Sequence, residues 1–243
     1  MDFLGGDLTS KRSRLDRFIS SIAAIKRADV RLLVAQKRVC VNGVQATTAS
    51  ELIDKFTHIT LDGRVLQERR AHYVMLHKPV GVISATKDCR QSTVLDLLAP
   101  EERKDLHLAG RLDLNSSGLI LLTNDSAWSR RLSSPENKIQ KVYQVTVKNP
   151  LSYDYVQAFK DGMYFGYEDI TTQPVTMTIM NEYSAELRLT EGRYHQIKRM
   201  FGRFRNPVLS IHRISIGSIM LDSQLAPGES RALTRDESRF VAL

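Results

Sequence analysis

Cysteine is scarce in this chain. The 243 residues hold two, Cys40 and Cys89. Two thiols cannot build a disulfide framework or a four-cysteine zinc site, and a reducing cytoplasm is the expected compartment. Long apolar runs are missing as well. None approaches the roughly 18–20 residues of a membrane helix. The start, MDFLGGDLTSKRSR, lacks the apolar stretch of a secretory signal. There is no GxxxxGKS or GxxxxGKT phosphate loop, no GxGxxG fingerprint, no HExxH and no GxSxG elbow. The six histidines are scattered at 58, 72, 77, 107, 195 and 212. A reaction needing neither metal nor cofactor, or no reaction, is what remains.

Acidic side chains are in deficit. There are 27 Asp and Glu against 35 Lys and Arg, a net charge of +8. Such an excess fits a polyanionic partner, nucleic acid first, or simply a basic soluble protein. Its distribution is uneven. Residues 1–70 carry 13 Lys and Arg with 8 Asp and Glu; residues 71–243 carry 22 with 19. With 42% hydrophobic residues the chain has enough apolar surface to build a core.

Two regions differ in pattern. Ser13-Arg14-Leu15-Asp16 predicts a capping box opening a helix. Leu15, Phe18, Ile19 and Ile22 then give it one buried face. A second helix is expected from Ala28 to Gln36, burying Val30, Leu33 and Val34. Val39–Val44 enters an Asn-Gly turn, and Ile59–Leu66 is a hairpin around Asp62-Gly63. Gln67-Glu68-Arg69-Arg70 reads as a linker, which divides the chain into residues 1–67 and 68–243.

From Tyr73 the pattern turns to strands. Tyr73–Leu76 breaks at Lys78-Pro79-Val80-Gly81 and resumes in Val82-Ile83-Ser84. Thr93–Asp96 opens a short helix. Leu119–Leu122 is a strand buried on both faces. Tyr143–Val147, Val175–Ile179 and Leu187–Leu189 alternate. Helices are expected at Ala127–Leu132, Tyr153–Lys160 and Gln196–Phe204. Without a regular βα alternation, the class is α+β with a mainly antiparallel sheet.

Three stretches carry chemistry. Gly110-Arg111-Leu112-Asp113-Leu114-Asn115-Ser116-Ser117-Gly118 is a polar loop feeding a buried strand. Asp113 between two leucines is either a partly desolvated reactive carboxylate or a loop residue paired with Arg111. Lys141-Val142-Tyr143, by itself, is strand packing. Glu191-Gly192-Arg193-Tyr194-His195-Gln196-Ile197-Lys198-Arg199-Met200-Phe201 interleaves cations with aromatics. That suits a nucleotide pocket or a solvated basic helix face.

In this order and spacing, the three stretches resemble the RsuA-type pseudouridine synthases. Leu76-His77-Lys78-Pro79-Val80-Gly81 resembles the strand opening that catalytic domain. Arg14–Ile19 followed by Lys37-Arg38-Val39-Cys40-Val41-Asn42-Gly43 resembles an S4 RNA-binding domain. The resemblance spans Arg12 to Glu237. His212–Gly217 and Leu225–Glu229 look most like the branch acting on small-subunit rRNA, the 16S rRNA uridine-516 synthases. Two features depart from the pattern: about eleven residues precede the S4-like start, and Phe204-Arg205-Asn206-Pro207 replaces a Gly-Asn type turn in what would be a substrate-facing loop.

The resemblance implies an S4-like domain followed by a pseudouridine synthase domain, a mixed, mainly antiparallel sheet with flanking helices. The reaction isomerises uridine: N1–C1′ breaks, the base turns, and C5 bonds to C1′. No atoms or electrons are gained or lost, so no cofactor or metal is implied. The resemblance makes Asp113 the carboxylate, whether it attacks C1′, adds to the base or removes a sugar proton. Lys198, with Arg111 as a second candidate, would be its cation. Tyr143 would stack on the base and serve in proton transfer, and Ile211 would form the opposite wall. RNA contacts would come from Arg12, Arg14, Arg17, Lys37, Arg38 and Asn42, and in the catalytic domain from Arg193, His195 and Gln196. The expected partner is ribosomal RNA or a small-subunit assembly intermediate, met by a monomer away from any membrane. Large-subunit rRNA is the alternative substrate, and a non-catalytic rRNA-binding assembly factor the alternative class.

Overall fold

The computed structural model describes residues 12–239. The segment preceding the S4-like start lies outside that range. The chain divides into two compact units between Ala71 and His72. Among the described residues no helix is long and apolar enough to cross a membrane.

In the first unit, helices Leu15–Ala23 and Arg27–Ala35 share a core with a four-stranded sheet. The strand order is Val44–Gln45, Val39–Val41, Ile59–Leu61, Arg64–Gln67. Leu15, Ile19, Val30, Val34, Val39, Val41 and Ile59 fill the core. The two hairpin turns place Asn42, Gly43, Asp62 and Gly63 at φ of 51°, 82°, 52° and 77°. These left-handed pairs are what tight hairpins require, which is why Asn-Gly and Asp-Gly stand there.

Three expectations fail in this unit. The capping box does not form. Ser13 is drawn into a short ladder with Ile53, and Asp16 is gripped by Arg14 at 2.9 and 3.1 Å. Backbone bonds from Leu15 to Glu51 and from Asp16 to Ala49, both 2.9 Å, fix the helix entry instead. Ile22 is 52% exposed, because the nine-residue helix ends at Ala24 in a left-handed conformation before that position is covered. Gln67 is not linker: its amide donates to the Asp54 and Thr57 carbonyls, so it completes the last strand.

The second unit is built on a sheet of nine strands among the described residues. The main path runs Thr176–Asn181, Ser184–Leu189, Lys141–Val147, Val208–Ile216, Ser117–Thr123, Tyr73–Lys78, Ser230–Ala232. Neighbours are antiparallel except at one central junction, where His212 lies beside Ser117 and Arg213 beside Gly118 in parallel. The sheet buries apolar side chains on both faces. Ile120, Leu122, Val145 and Leu187 belong to one cluster; Met75, Leu119, Leu121, Trp128 and Ile216 belong to the other. The continuous run Leu119–Leu122 is therefore wholly buried.

Helices Ser126–Ser133, Tyr153–Asp161 and Gln196–Gly202 flank this sheet. Asp125 caps the first, accepting from the backbone of Ala127 and Trp128. Thr93 and Asp96 form a capping box on the short 3-10 turn Val94–Leu97. Val82–Ser84 does not resume as a strand. It contributes one bridge, Ile83 to Thr93, and the Ser84 hydroxyl bonds the backbone of Leu112. Val208–Ile216, the longest strand, carries no cleanly alternating signal, since Leu209 and Ser210 are both exposed.

Candidate active site

The loop Gly110–Ser116 hands the chain to the central strand Ser117–Thr123. It hangs from two buried cations. Lys78, fully buried at the end of its strand, donates from Nζ to Ser116 O at 2.7 Å, Pro79 O at 2.9 Å and Leu114 O at 3.3 Å. Arg213 donates from Nε to Leu119 O at 2.8 Å and from Nη1 to Arg111 O at 3.2 Å. Its Nη2 is buried without a partner among the described residues. Ser84 Oγ holds Leu112, accepting from its N–H at 3.0 Å and donating to its carbonyl at 2.6 Å. Burial lowers the Lys78 ammonium to about 8; the Asp113 charge opposes that shift and Arg213 adds to it.

Gly118 makes the parallel junction possible. Its φ is +108°, and a Cβ there would stand 2.6 Å from the Arg213 nitrogen and nearer still to its carbonyl oxygen. No side chain fits between backbones that close.

Above this scaffold lies a cavity of about 520 Å³, a size suited to a small ligand or an extruded nucleoside. Asp113, Arg111, Tyr143, Ile211 and Lys198 all line it, as do Arg193, His195 and Gln196. Tyr143 and Ile211 are buried and sit on neighbouring antiparallel strands. The Tyr143 ring has the Arg213 guanidinium 6.0 Å from its centre. His195 enters the helix Gln196–Gly202 at φ +49°. Its Nε2 is 3.5 Å from Asp113 Oδ2, and its ring stacks on Tyr194 at 3.9 Å and 18°. The five catalytic candidates, separated by up to 100 positions in the chain, thus meet in one place.

The pairing at Asp113 differs from expectation. Among the described residues neither Lys198 nor Arg111 comes within 4 Å of its carboxylate; His195 does. The helix begins one residue after His195, which brings that ring to the loop and leaves Lys198 a turn further along. Other candidates are engaged elsewhere. Gln196 is buried; its amide donates to Glu191 at 2.7 Å and accepts from the Arg193 backbone at 3.1 Å. The Arg193 side chain also pairs with Glu191, at 2.9 Å. Arg199 makes a two-pronged contact with Glu168 and lies 3.8 Å over Phe165. Of the three cations in this segment, Lys198 alone has no ion pair among the described residues.

The turn Phe204–Pro207 does not face the cavity. Asn206 is buried, bonded to both backbone groups of Asn149 and to the Tyr155 hydroxyl, and Phe204 stacks on Tyr155 at 4.0 Å. Its polar group is used to fasten the helix Tyr153–Asp161. In the first unit, Arg12, Arg17, Lys37 and Asn42 are exposed. Arg14 is paired with Asp16, Arg38 with Asp62 at 2.6 Å, and Asn42 Oδ1 accepts from His58 N at 3.0 Å.

Sequence reasoning passed over Lys78, Ser84 and Arg213 as supports. For Arg213 a signal existed: a strand places it on the same face as Ile211 and Ser215, where an arginine is out of character. For Lys78 the signal was a lysine closing an apolar strand directly before proline.

Residues 72–202 match the family described as RNA pseudouridylate synthase. The chain is 45% identical over 225 residues to the ribosomal small subunit pseudouridine synthase A of Pseudomonas aeruginosa, covering 92% of this chain and 98% of that protein. To the protein of that name from Escherichia coli K12 it is 38% identical over 229 residues, covering 94% and 99%. A crystal structure of a pseudouridylate synthase aligns over 94% of this chain and 99% of its own, with a TM-score of 0.69 and 34% identity. On this similarity across nearly its full length, the chain belongs to the RNA pseudouridylate synthase family.

Proposed function

We propose that this protein isomerises a uridine of small-subunit ribosomal RNA to pseudouridine, with Asp113 as the reacting carboxylate. The observation that carries the reading is the convergence of Asp113, Tyr143, Ile211 and Lys198 on one cavity. Relatives named for the small ribosomal subunit, similar over more than nine-tenths of the chain, support the substrate. The target base leaves its stack to reach Asp113. Tyr143 and Ile211 sandwich it, and Lys198 supplies positive charge once the base has closed the cavity to water. Lys78 and Arg213 hold the loop that carries Asp113, so the carboxylate meets the nucleoside in one orientation.

The first unit serves as an S4-like RNA anchor. Arg12, Arg17 and Lys37 meet phosphates, while Arg14 and Arg38 stay tied to their carboxylates. Such contacts position the RNA without reading bases and weaken steeply with salt. The protein acts as a monomer in the cytoplasm, on rRNA or a small-subunit assembly intermediate, without metal or cofactor. The test is incubation of purified protein with transcribed small-subunit and large-subunit rRNA, followed by pseudouridine mapping. One new site in the small-subunit RNA is expected. Modification of large-subunit RNA alone would overturn the substrate, and none in either, with particles also inert, would overturn the activity.

A further inference from the structure

We propose that Tyr194, at the mouth of the cavity, is a stacking platform for the RNA base next to the target uridine. This rests on the isomerisation reading above, because the target must enter the cavity for its neighbour to meet that ring.

Exposure places the ring. Tyr143 and Ile211 are buried, whereas Tyr194, lining the same cavity, is 76% exposed. It therefore stands at the rim. Its ring lies on the His195 imidazole, with centres 3.9 Å apart and planes 18° from parallel. One face is taken, and so high an exposure leaves the other to solvent. Among the described residues the ring has no second aromatic neighbour and its hydroxyl no hydrogen bond. An open aromatic face beside a nucleoside cavity is the surface on which unstacked RNA bases settle.

The segment holds that face still. Tyr194 sits inside a turn closed by Gln196 N donating to Arg193 O at 3.2 Å. Both ends of the turn are tied to the buried Glu191. Arg193 donates to it from Nε at 2.9 Å, and Gln196 from its amide at 2.7 Å. Behind the ring, the His195 carbonyl accepts from Arg199 N at 2.9 Å, which fixes the backbone to the helix. A platform held in this way loses little freedom when a base settles on it.

The depth of the two aromatic rings decides which base this is. The target uracil passes between Tyr143 and Ile211, further in than Tyr194. Its extrusion deprives the bases on either side of a stacking partner. One of them regains a partner by lying on the open face of Tyr194. Stacking of this kind accepts any base, so the contact adds affinity and register rather than sequence discrimination.

The test is a cycle between protein and RNA. The RNA is the small-subunit segment carrying the mapped uridine, intact or with an abasic residue on one side of the target or the other. Equilibrium affinity and subsaturating single-turnover rate are both measured. For wild type, one of the two abasic RNAs should be bound and converted about 10-fold less well than intact RNA. Tyr194→Ala should show a similar loss on intact RNA and no further loss on that abasic RNA. Tyr194→Phe should match wild type, since the hydroxyl is unused. Each comparison of RNAs is made within one variant, so a smaller active fraction of protein cancels. Losses that multiply at both positions, no loss in wild type at either, unchanged Tyr194→Ala, or a phenylalanine variant as poor as alanine would each overturn the proposal. The affinity arm needs no turnover. Intact RNA bound by wild type but never isomerised would therefore overturn the reading beneath this one, while the stacking cycle is still read.

Discussion

The Lys78 ammonium, fully buried, donates to the Ser116 carbonyl at 2.7 Å, three residues beyond Asp113. The same nitrogen holds Leu114 O, so both flanks of the Asp113 turn are tied to one cation. Burial costs that cation solvation, and its value falls to about 8 from 10.5. Between these two pH values the unfolded chain binds more protons at Lys78 than the folded one, so this group's contribution to stability rises as pH climbs through the window. Below about 8 both states hold the proton, and the folded state bears the full desolvation cost. Lys78→Met lacks this dependence. The stability of the wild type relative to Lys78→Met should grow by up to about 3 kcal/mol from pH 7.5 to pH 10. Urea titrations at both pH values check this, and a constant difference would contradict it.

Gly118→Ala tests the parallel junction. The added methyl meets the Arg213 backbone, which cannot swing aside, and φ is in the left-handed region. The variant should lose roughly 2 kcal/mol or more of stability. A melting temperature equal to the wild type's would show that the strands part more easily than their spacing implies.

Lys198 is on the cavity wall without an ion pair among the described residues, yet a base closing the cavity removes the water that screens it. Charges then interact more strongly across the same distance. Lys198→Met should lose roughly 3 kcal/mol of transition-state stabilisation, and Lys198→Arg less. If Lys198 only touched phosphate, the single-turnover rate of the methionine variant at saturating RNA would be near normal and its salt dependence shallower.

Removing residues 1–71 should leave a folded catalytic unit that binds rRNA weakly. The cut follows the division between Ala71 and His72, and the removed part carries most of the positive excess. Circular dichroism and RNA titration at two salt concentrations measure both halves of this expectation. Wild-type affinity in the shortened protein would contradict the anchor role.

What the sequence revealed follows from where the information is local. The hairpins at Asn42-Gly43 and Asp62-Gly63 were legible because left-handed turns select few residues. The Leu119–Leu122 strand was legible because burial on both faces demands an unbroken apolar run. The polar loop marked Asp113 as a candidate, but its role and those of Tyr143, Lys198 and Ile211 came through resemblance, and their convergence is a property of strand order. The partner of Asp113 was misread, since it depends on where a helix begins: one residue decided between His195 and Lys198. Gln196 was expected on the RNA and Asn206 in a substrate-facing turn, but both are buried and bonded to groups distant from any local pattern, Gln196 to Glu191 and Asn206 to the backbone of Asn149. Ser13 failed as a cap because a strand far along the chain claimed its backbone.

The most direct measurement is single-turnover conversion of uridine in small-subunit rRNA by Asp113→Asn. Asparagine keeps the shape of the side chain and removes the charge and nucleophilicity, while Lys78, Ser84 and Arg213 still hold the loop through backbone carbonyls. The variant should bind the RNA with close to wild-type affinity and form no pseudouridine. Pseudouridine formed by purified Asp113→Asn at an appreciable fraction of the wild-type rate would contradict the assignment of this carboxylate as the group that does the chemistry.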